Sequence, residues 1–178
     1  MVRNAVKVVA PTKEEAMTDV KKARTTLIGA SSILLSFLLL CACDGTLFHS
    51  FHSVNEGWQR NCGLEYMYDG KHLGSGKCGM YLEARTMAKY RYKNLVVRAE
   101  YMNMRDSLLA VDTIPLAVYD DTGRRFGATA GILYQQKSNI RFLDLPAGDS
   151  VVIRLSHIMP DDTLEGVADI GVRLIGLH

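Results

Sequence analysis

Apolar and polar residues alternate at every second position along most of the chain after residue 43. Leu95, Val97 and Ala99, for example, are separated by Val96 and Arg98. Alternation of this kind is typical of strands that bury one face and expose the other. It predicts strands within residues 64–69, 80–85, 95–102, 108–119, 151–158 and 170–177.

Turn-forming clusters separate these segments, and no window after residue 43 has an apolar stripe of helical period. The clusters are Gly70-Lys71, Gly74-Ser75-Gly76, Asp120-Asp121-Thr122-Gly123, Pro146-Ala147-Gly148-Asp149 and Pro160-Asp161-Asp162. Many short strands joined by such turns predict an all-β fold, a single antiparallel β-sandwich of jelly-roll or immunoglobulin-like type. Pro115 lies within a predicted strand, which therefore belongs at a sheet edge or carries a bulge.

A different pattern precedes the strands, where the apolar run Leu27–Leu40 follows the basic segment Lys21-Lys22-Ala23-Arg24. The run has 14 residues, including a glycine and three serines, whereas a membrane-spanning helix needs about 20 apolar residues. A basic flank and a short apolar core predict a secretory signal peptide, residues 1–42, with a helical core. Residues 1–16 are atypical of a leader, and translation from Met17 is an alternative start.

Leu40-Cys41-Ala42-Cys43 closes the leader and resembles the lipobox of bacterial lipoproteins. That resemblance implies that the Cys43 thiol takes a diacylglycerol, that the leader is removed, and that the new amino terminus is acylated, for example with palmitate. Cys41 is a competing attachment site, but Leu40 before it is bulkier than the usual residue. We therefore expect a lipid anchor at Cys43 and a domain at 43–178.

The leader also accounts for the net positive charge of the chain. Six of the 21 Lys and Arg residues and three of the 19 Asp and Glu residues precede Cys43. The remainder has a net charge of about −1 and no long run of like charges. Nucleic-acid binding, which requires a clustered basic face, is not expected.

Few residues carry recognisable catalytic or metal-binding chemistry. His49 and His52 are three positions apart, so on a strand they point to opposite faces and make a poor metal pair. The acidic turn at Asp120-Asp121 lacks the ligand spacing of a calcium loop, and no nucleophile–base pattern or phosphate-binding loop is present. We expect neither a metal, nor a cofactor, nor an enzymatic activity.

Aromatic residues offer a binding surface instead. Tyr90-Arg91-Tyr92 interleaves rings with a cation, and Trp58 is the single tryptophan. Such residues build glycan platforms and protein interfaces. The alternative is that Tyr90 and Tyr92 cover the open end of the sandwich.

Two further cysteines, Cys62 and Cys78, follow the predicted attachment site. An exported compartment permits a disulfide between them. The bridge would close a loop of about 16 residues, worth roughly 3 kcal/mol. Spacing alone does not establish that the two lie within bonding distance.

The chain after Cys43 resembles the GldH lipoproteins associated with gliding motility in the Bacteroidetes. An aromatic-rich strand and a tryptophan match first, followed by an arginine with a Tyr-x-Tyr-x-Asn-Leu segment, a proline and glycine segment, and a closing Asp-x-Gly-x-Arg strand. The matching residues are Phe48–Val54, Trp58, Arg85, Thr86, Tyr90, Tyr92, Asn94, Leu95, Asp112, Pro115, Leu116, Asp121, Thr122, Gly123, Gly127, Met159, Leu164, Gly166, Val167, Asp169, Ile170, Gly171, Val172 and Arg173.

The resemblance implies a non-enzymatic component of the cell envelope, anchored by lipid and bound to protein partners of the gliding and type IX secretion machinery. Without an acidic run after Cys43, we expect the domain to face the periplasm from the outer membrane. Relatives in non-gliding members of the phylum leave motility itself open. A glycan-binding lipoprotein of a nutrient-uptake system, using Trp58, Tyr90 and Tyr92, is the alternative.

The closing strand also allows one prediction of a contact. Asp169 and Arg173 are four residues apart, so on a strand they share a face but lie about 13 Å from each other. Each is expected to find an opposite charge or a backbone group on a neighbouring strand. Arg85 is the candidate partner of Asp169.

Overall fold

A computed structural model describes residues 45–72, 76–146 and 148–177. The leader, with its predicted helix, and Cys43 lie outside the described residues. Strands and one 3-10 turn, Gly70–His72, are the regular elements of the described residues. The strands are β1 (Thr46–Ser53), β2 (Trp58–Gln59), β3 (Leu64–Tyr68), β4 (Lys77–Thr86), β5 (Asn94–Asn103), β6 (Leu108–Ala117), β7 (Ala128–Ala130), β8 (Leu133–Lys137), β9 (Arg141–Asp144), β10 (Val151–His157), β11 (Thr163–Leu164) and β12 (Val167–Gly176).

Two antiparallel sheets form the body of the domain. The six-stranded sheet has the order β1-β12-β4-β8-β7, with β9 also paired to β4. The four-stranded sheet has the order β3-β10-β5-β6, and β2 and β11 form a separate two-stranded ribbon. The all-β, antiparallel prediction is confirmed, and the two larger sheets pack face to face as a sandwich.

The core consists of the residues that alternate inward from both sheets. Tyr66 on β3 donates its hydroxyl to the backbone oxygen of Ile170 on β12 at 2.7 Å, and so links the two sheets. The hydroxyl of Tyr101 on β5 donates to the sulfur of Met80 on β4 at 3.6 Å. The buried residues of the central strands are Met80, Leu82, Ala84, Leu95, Val97, Ala99, Ile153, Leu155, Ile170, Val172 and Leu174.

The sandwich has two distinct ends. We call the end at which β1 begins the amino-terminal end. Thr46 pairs with Ile175 there, and the amide of Gly176 donates to the oxygen of Gly45 at 2.9 Å. Two of the connections that cross between the sheets, β3 to β4 and β9 to β10, pass at this end. The tip of the β5–β6 hairpin, residues 104–107, lies there too, because Asn103 pairs with Val151 beside Tyr68.

Pro115 lies on β6, the edge strand of the four-stranded sheet, as its missing amide hydrogen predicts. Strands β7, β8 and β9 have no counterpart in the alternation pattern. They are three to five residues long, and β8 reads Leu-Tyr-Gln-Gln-Lys. Strands β8 and β9 pair with β4, and β7 pairs with β8, so pairing and not their own hydrophobicity makes them strands.

Candidate functional site: the outer face of the six-stranded sheet

The closing strand β12 divides its residues between the core and the surface. Ile170 and Val172 point into the core, so Asp169, Gly171 and Arg173 lie on the opposite side of the sheet. Their register partners share that side, and we call the whole surface the outer face. Its residues are His49, Phe51 and Ser53 from β1, Tyr81, Glu83 and Arg85 from β4, Gln135 and Lys137 from β8, and Asp169, Gly171 and Arg173 from β12.

A buried carboxylate lies at the centre of the outer face. Glu83 is only 3% exposed, although it occupies a position that alternation assigns to solvent. His49 Nε2 lies 3.1 Å from Glu83 Oε2, and Gln135 Nε2 donates to the same oxygen at 3.2 Å. Side chains from both sides of β4 therefore cover the carboxylate and satisfy it.

The contact between His49 and Glu83 passes over β12 at Gly171, which pairs with Phe51 on one side and with Glu83 on the other. Because Gly171 has no side chain, the ring of Phe51 lies on its backbone. The glycine thus makes the space that this arrangement fills.

Arg85 connects the ring and the acids of the outer face. Its Nη1 lies 3.6 Å from an Asp169 carboxylate oxygen, and its Nε donates to Gln135 Oε1 at 3.4 Å. Its guanidinium carbon lies 4.2 Å from the centre of the Phe51 ring, a cation–π distance. The predicted pairing of Arg85 with Asp169 is confirmed.

A second cation–aromatic pair extends the outer face toward β8 and β9. Lys137 Nζ lies 4.5 Å from the centre of the Tyr81 ring. Arg173, on the other side of Tyr81 in register, donates to the Thr46 hydroxyl from Nε at 3.1 Å and from Nη2 at 2.8 Å. The two donations tie Arg173 to the first residue of β1.

Arginine and aromatic side chains, half-buried and already held in place, are typical of the residues that dominate protein–protein interfaces. They lose little conformational freedom when a partner binds. Within the described ranges, no group of three or more His, Cys, Asp or Glu side chains is placed to hold a metal ion. The arrangement is suited to recognising a surface.

Sequence reasoning did not single out Glu83, Phe51, Tyr81, Gln135 or Lys137. The available signal was Gly171, a glycine at a surface position in the middle of a long strand, which marks close approach of another group. Of the two histidines, His49 belongs to the outer face, whereas His52 Nε2 lies 3.0 Å from the backbone oxygen of Glu65 on β3. They point to opposite faces, as their spacing predicts.

The predicted surface at Trp58 and Tyr90 is wrong, because each residue is 1% exposed. Trp58 donates its indole N–H to the oxygen of Cys62 at 3.0 Å and packs edge-on against His157. Tyr90 donates to the oxygen of Asn94 at 3.0 Å. Tyr92 is half-buried at 6.0 Å from the Tyr90 ring, so these rings close the end of the sandwich opposite the amino-terminal end.

Cys62 and Cys78 are free thiols, so the structure does not contain the suggested disulfide. Cys62 is exposed in the loop before β3 and lines a surface depression of about 540 Å³. Cys78 is buried on β4 within the core, and burial raises the pKa of its thiol to about 11. The two sulfur atoms are not bonded because the Cys62 thiol faces solvent, whereas the Cys78 thiol faces the core.

The part of the chain that the structure describes contains no helix long and apolar enough to cross a bilayer. No curated protein matches the chain. The sequence model of the GldH lipoprotein family matches residues 46–174, which include all twelve strands of the sandwich, with β12 matched as far as Leu174. The chain therefore belongs to the GldH lipoprotein family, a family of membrane-anchored proteins.

Proposed function

We propose that this lipoprotein is a structural or assembly component of the gliding-motility or type IX secretion machinery, and that its outer face binds another envelope protein. It is attached through acyl chains on Cys43, faces the periplasm from the outer membrane, and catalyses no reaction. The observation that carries the binding role is the outer face itself. Phe51 and Arg85 stack at 4.2 Å around the buried Glu83.

The chemistry of the outer face favours a protein partner. The outer face presents cations and aromatic rings around the buried Glu83, which its hydrogen bonds hold in place. The cations are Arg85, Lys137 and Arg173, and the rings are Phe51 and Tyr81. A partner that presents carboxylates beside an apolar side chain would match this surface. The glycan-binding alternative loses two of the three rings on which it rested, because Trp58 and Tyr90 are buried and only Tyr92 is partly exposed.

Crosslinking in intact cells followed by capture of the lipoprotein tests the binding role. Phe51→Ala combined with Arg85→Ala should abolish capture of the partner, because it removes the stacked pair. Arg154→Ala is the matched control, since this arginine is paired with Glu65 on the outside of the four-stranded sheet. Undiminished capture by the double variant, with its fold verified by thermal unfolding, contradicts the proposal.

Intact-mass measurement of membrane-extracted protein tests the anchor. The expected product starts at residue 43 and carries acyl mass. Cys43→Ser should leave unprocessed precursor, whereas Cys41→Ser should be processed normally. An unacylated amino terminus at another position would refute attachment at Cys43.

Gene dosage distinguishes a binding component from an enzyme. Deletion should lower the abundance of another envelope complex, and restoration should scale with the amount of lipoprotein supplied. Full restoration by trace amounts would indicate turnover and contradict a stoichiometric role.

Protease added to intact cells tests the orientation of the domain. A domain that faces the periplasm should be spared, and its digestion while periplasmic controls survive would contradict that orientation.

A further inference from the structure

An apolar row crosses the outside of the four-stranded sheet at its amino-terminal end, and its exposed members lie on the two edge strands, whereas Met102 in the middle of the row is only 4% exposed. Met67, Val152, Met102 and Leu108 lie side by side in register on β3, β10, β5 and β6. With strands about 4.8 Å apart, the row is roughly 14 Å wide. Met67 is 61% exposed and Leu108 is 56% exposed, and Met104 in the adjoining hairpin turn is also 56% exposed.

Charged side chains replace most of the apolar ones in the next row of the sheet, where Val111 is the exposed apolar member. The next row along the strands consists of Glu65, Arg154, Glu100 and Val111, about 7 Å further from the end. Arg154 donates to Glu65 Oε1 from Nε at 2.8 Å and from Nη2 at 2.6 Å. On β3, β10 and β5 the outside of this sheet therefore changes from apolar to charged within one row, whereas β6 remains apolar at Val111.

The chain enters the domain at the same end. Thr46 begins β1 there, and only Asp44 and Gly45 separate it from Cys43. Three extended residues span at most about 11 Å. An acyl chain on Cys43 therefore holds Thr46, at the amino-terminal end, within that distance of the bilayer surface.

We infer that the amino-terminal end rests on the membrane and that Met67, Met104 and Leu108 enter the boundary between lipid headgroups and acyl chains. This inference rests on the lipid attachment at Cys43 proposed above. Amphipathic helices that lie in the plane of a bilayer bury their apolar faces by about 5–10 Å, and we expect a similar depth for these side chains. That depth matches one row of the sheet, and the charged row stays in water.

Charge does not drive this contact. Lys71 pairs with Asp69 at 2.9 Å, Lys77 lies opposite Asp144 in register, and Arg105 precedes Asp106 in the chain. Cations and carboxylates are mixed at this end, so a neutral lipid surface is sufficient.

Tryptophan fluorescence of the acylated protein in phosphatidylcholine vesicles with brominated acyl chains tests the inference. The wild-type protein supplies the baseline, because Trp58 is buried at the opposite end. Leu108→Trp and Met104→Trp should each add emission at shorter wavelength, and the brominated lipid should quench most of it. Ile158→Trp is the matched control, since Ile158 is 50% exposed at the end opposite the anchor and its tryptophan should stay unquenched.

The outcomes separate the inference from the anchor. Acylated protein that floats with the vesicles but leaves Leu108→Trp and Met104→Trp unquenched retains the anchor and overturns the membrane contact. Blue-shifted emission without quenching would place a protein surface, such as a second copy, on the row and would overturn it as well. Protein that carries no acyl mass at Cys43 overturns both proposals.

Discussion

The ring of Phe51 lies directly on the backbone of Gly171, so that a Cβ added to the glycine would come within 2.5 Å of Phe51 Cε1. The two residues are register partners on β1 and β12. Contact between an aromatic ring and a strand glycine replaces the packing that the glycine cannot supply. The position of the ring decides where Arg85 stacks, and the outer face therefore depends on this pair.

Gly171→Ala is expected to lower the free energy of unfolding by about 1–3 kcal/mol, because the ring must leave its place. It should also weaken capture of the partner. Denaturant unfolding checks the first effect. In a Phe51→Ala background the same substitution should cost clearly less, and an equal cost in both backgrounds would show that the clash is not with Phe51.

Glu83→Gln is expected to destabilise the domain by about 1–2 kcal/mol, because two donors then face a neutral amide in place of a carboxylate. Glu165→Gln supplies the control. Its side chain is 74% exposed and lies 3.8 Å from Lys89, so its loss should change stability little. Equal effects of the two substitutions on urea unfolding would mean that burial of Glu83 has no energetic consequence.

Tyr66→Phe and Tyr68→Phe should differ although both tyrosines lie buried on β3. The Tyr66 hydroxyl donates to the backbone oxygen of Ile170 at 2.7 Å, whereas the buried Tyr68 hydroxyl has no hydrogen-bond partner among the described residues. Removing the first should cost about 1 kcal/mol, and removing the second should be neutral or stabilising. Calorimetric unfolding of both variants measures the difference. A larger loss from Tyr68→Phe would reverse the expected order.

His157 should make the domain less stable in mild acid. Burial lowers the pKa of its imidazole below 6.5, against the opposing effect of the hydrogen bond that its Nε2 donates to the oxygen of Trp58 at 2.9 Å. Among the described residues, its buried Nδ1 has no partner for an added proton. The unfolded chain consequently binds that proton more tightly, and the free energy of unfolding falls as the pH drops through about 6.5. Arg60 also lowers this pKa, while Asp161 and Asp162 oppose the shift.

Denaturant unfolding across this pH range checks the prediction. His157→Gln should flatten the dependence, and His52→Gln, at an exposed position on β1, should leave it unchanged. Identical pH dependence in wild type and His157→Gln would assign the effect to other groups.

The two thiols of the domain should react differently with an alkylating reagent. Cys62 is exposed and should be labelled in the native protein, whereas Cys78 is buried with a raised pKa and should react only after unfolding. Mass spectrometry of labelled peptides under native and denaturing conditions distinguishes them. Failure of Cys62 to react until a reductant is added would indicate a disulfide.

Alternation predicted the strands that supply the core, because burial on one face leaves its period in the sequence. Leu95, Val97 and Ala99 on β5 are buried as expected. The start of β12 at Val167 was missed, since Val167, Ala168 and Ile170 are all buried and break the period around a bulge. Pairing partners are non-local, so the sequence could not show that β8 and β9 share β4.

The candidate site was only partly predictable for the same reason. The Arg85–Asp169 pair was predictable because it depends on a single pairing of neighbouring strands. Burial of Glu83 was not, because it requires His49 and Gln135 from two different strands. The predicted binding surface at Trp58 and Tyr90 was wrong because an aromatic residue that closes the end of a sandwich and one that binds a ligand give the same sequence pattern. Their hydrogen bonds to Cys62 and Asn94 appear only in the fold.

The placement of β1 at the edge of its sheet has a mechanical consequence. Its seven register pairs to β12 run from Thr46 to Ser53. A lipid tether at Cys43, as proposed above, would pull on the Thr46 end along the strand. Because the ladder hydrogen bonds are perpendicular to the strand, a force along it shears them together and does not unzip them singly. A force between the membrane and a partner bound to the outer face would thus load the β1–β12 ladder in shear, which is the direction in which the ladder resists force best.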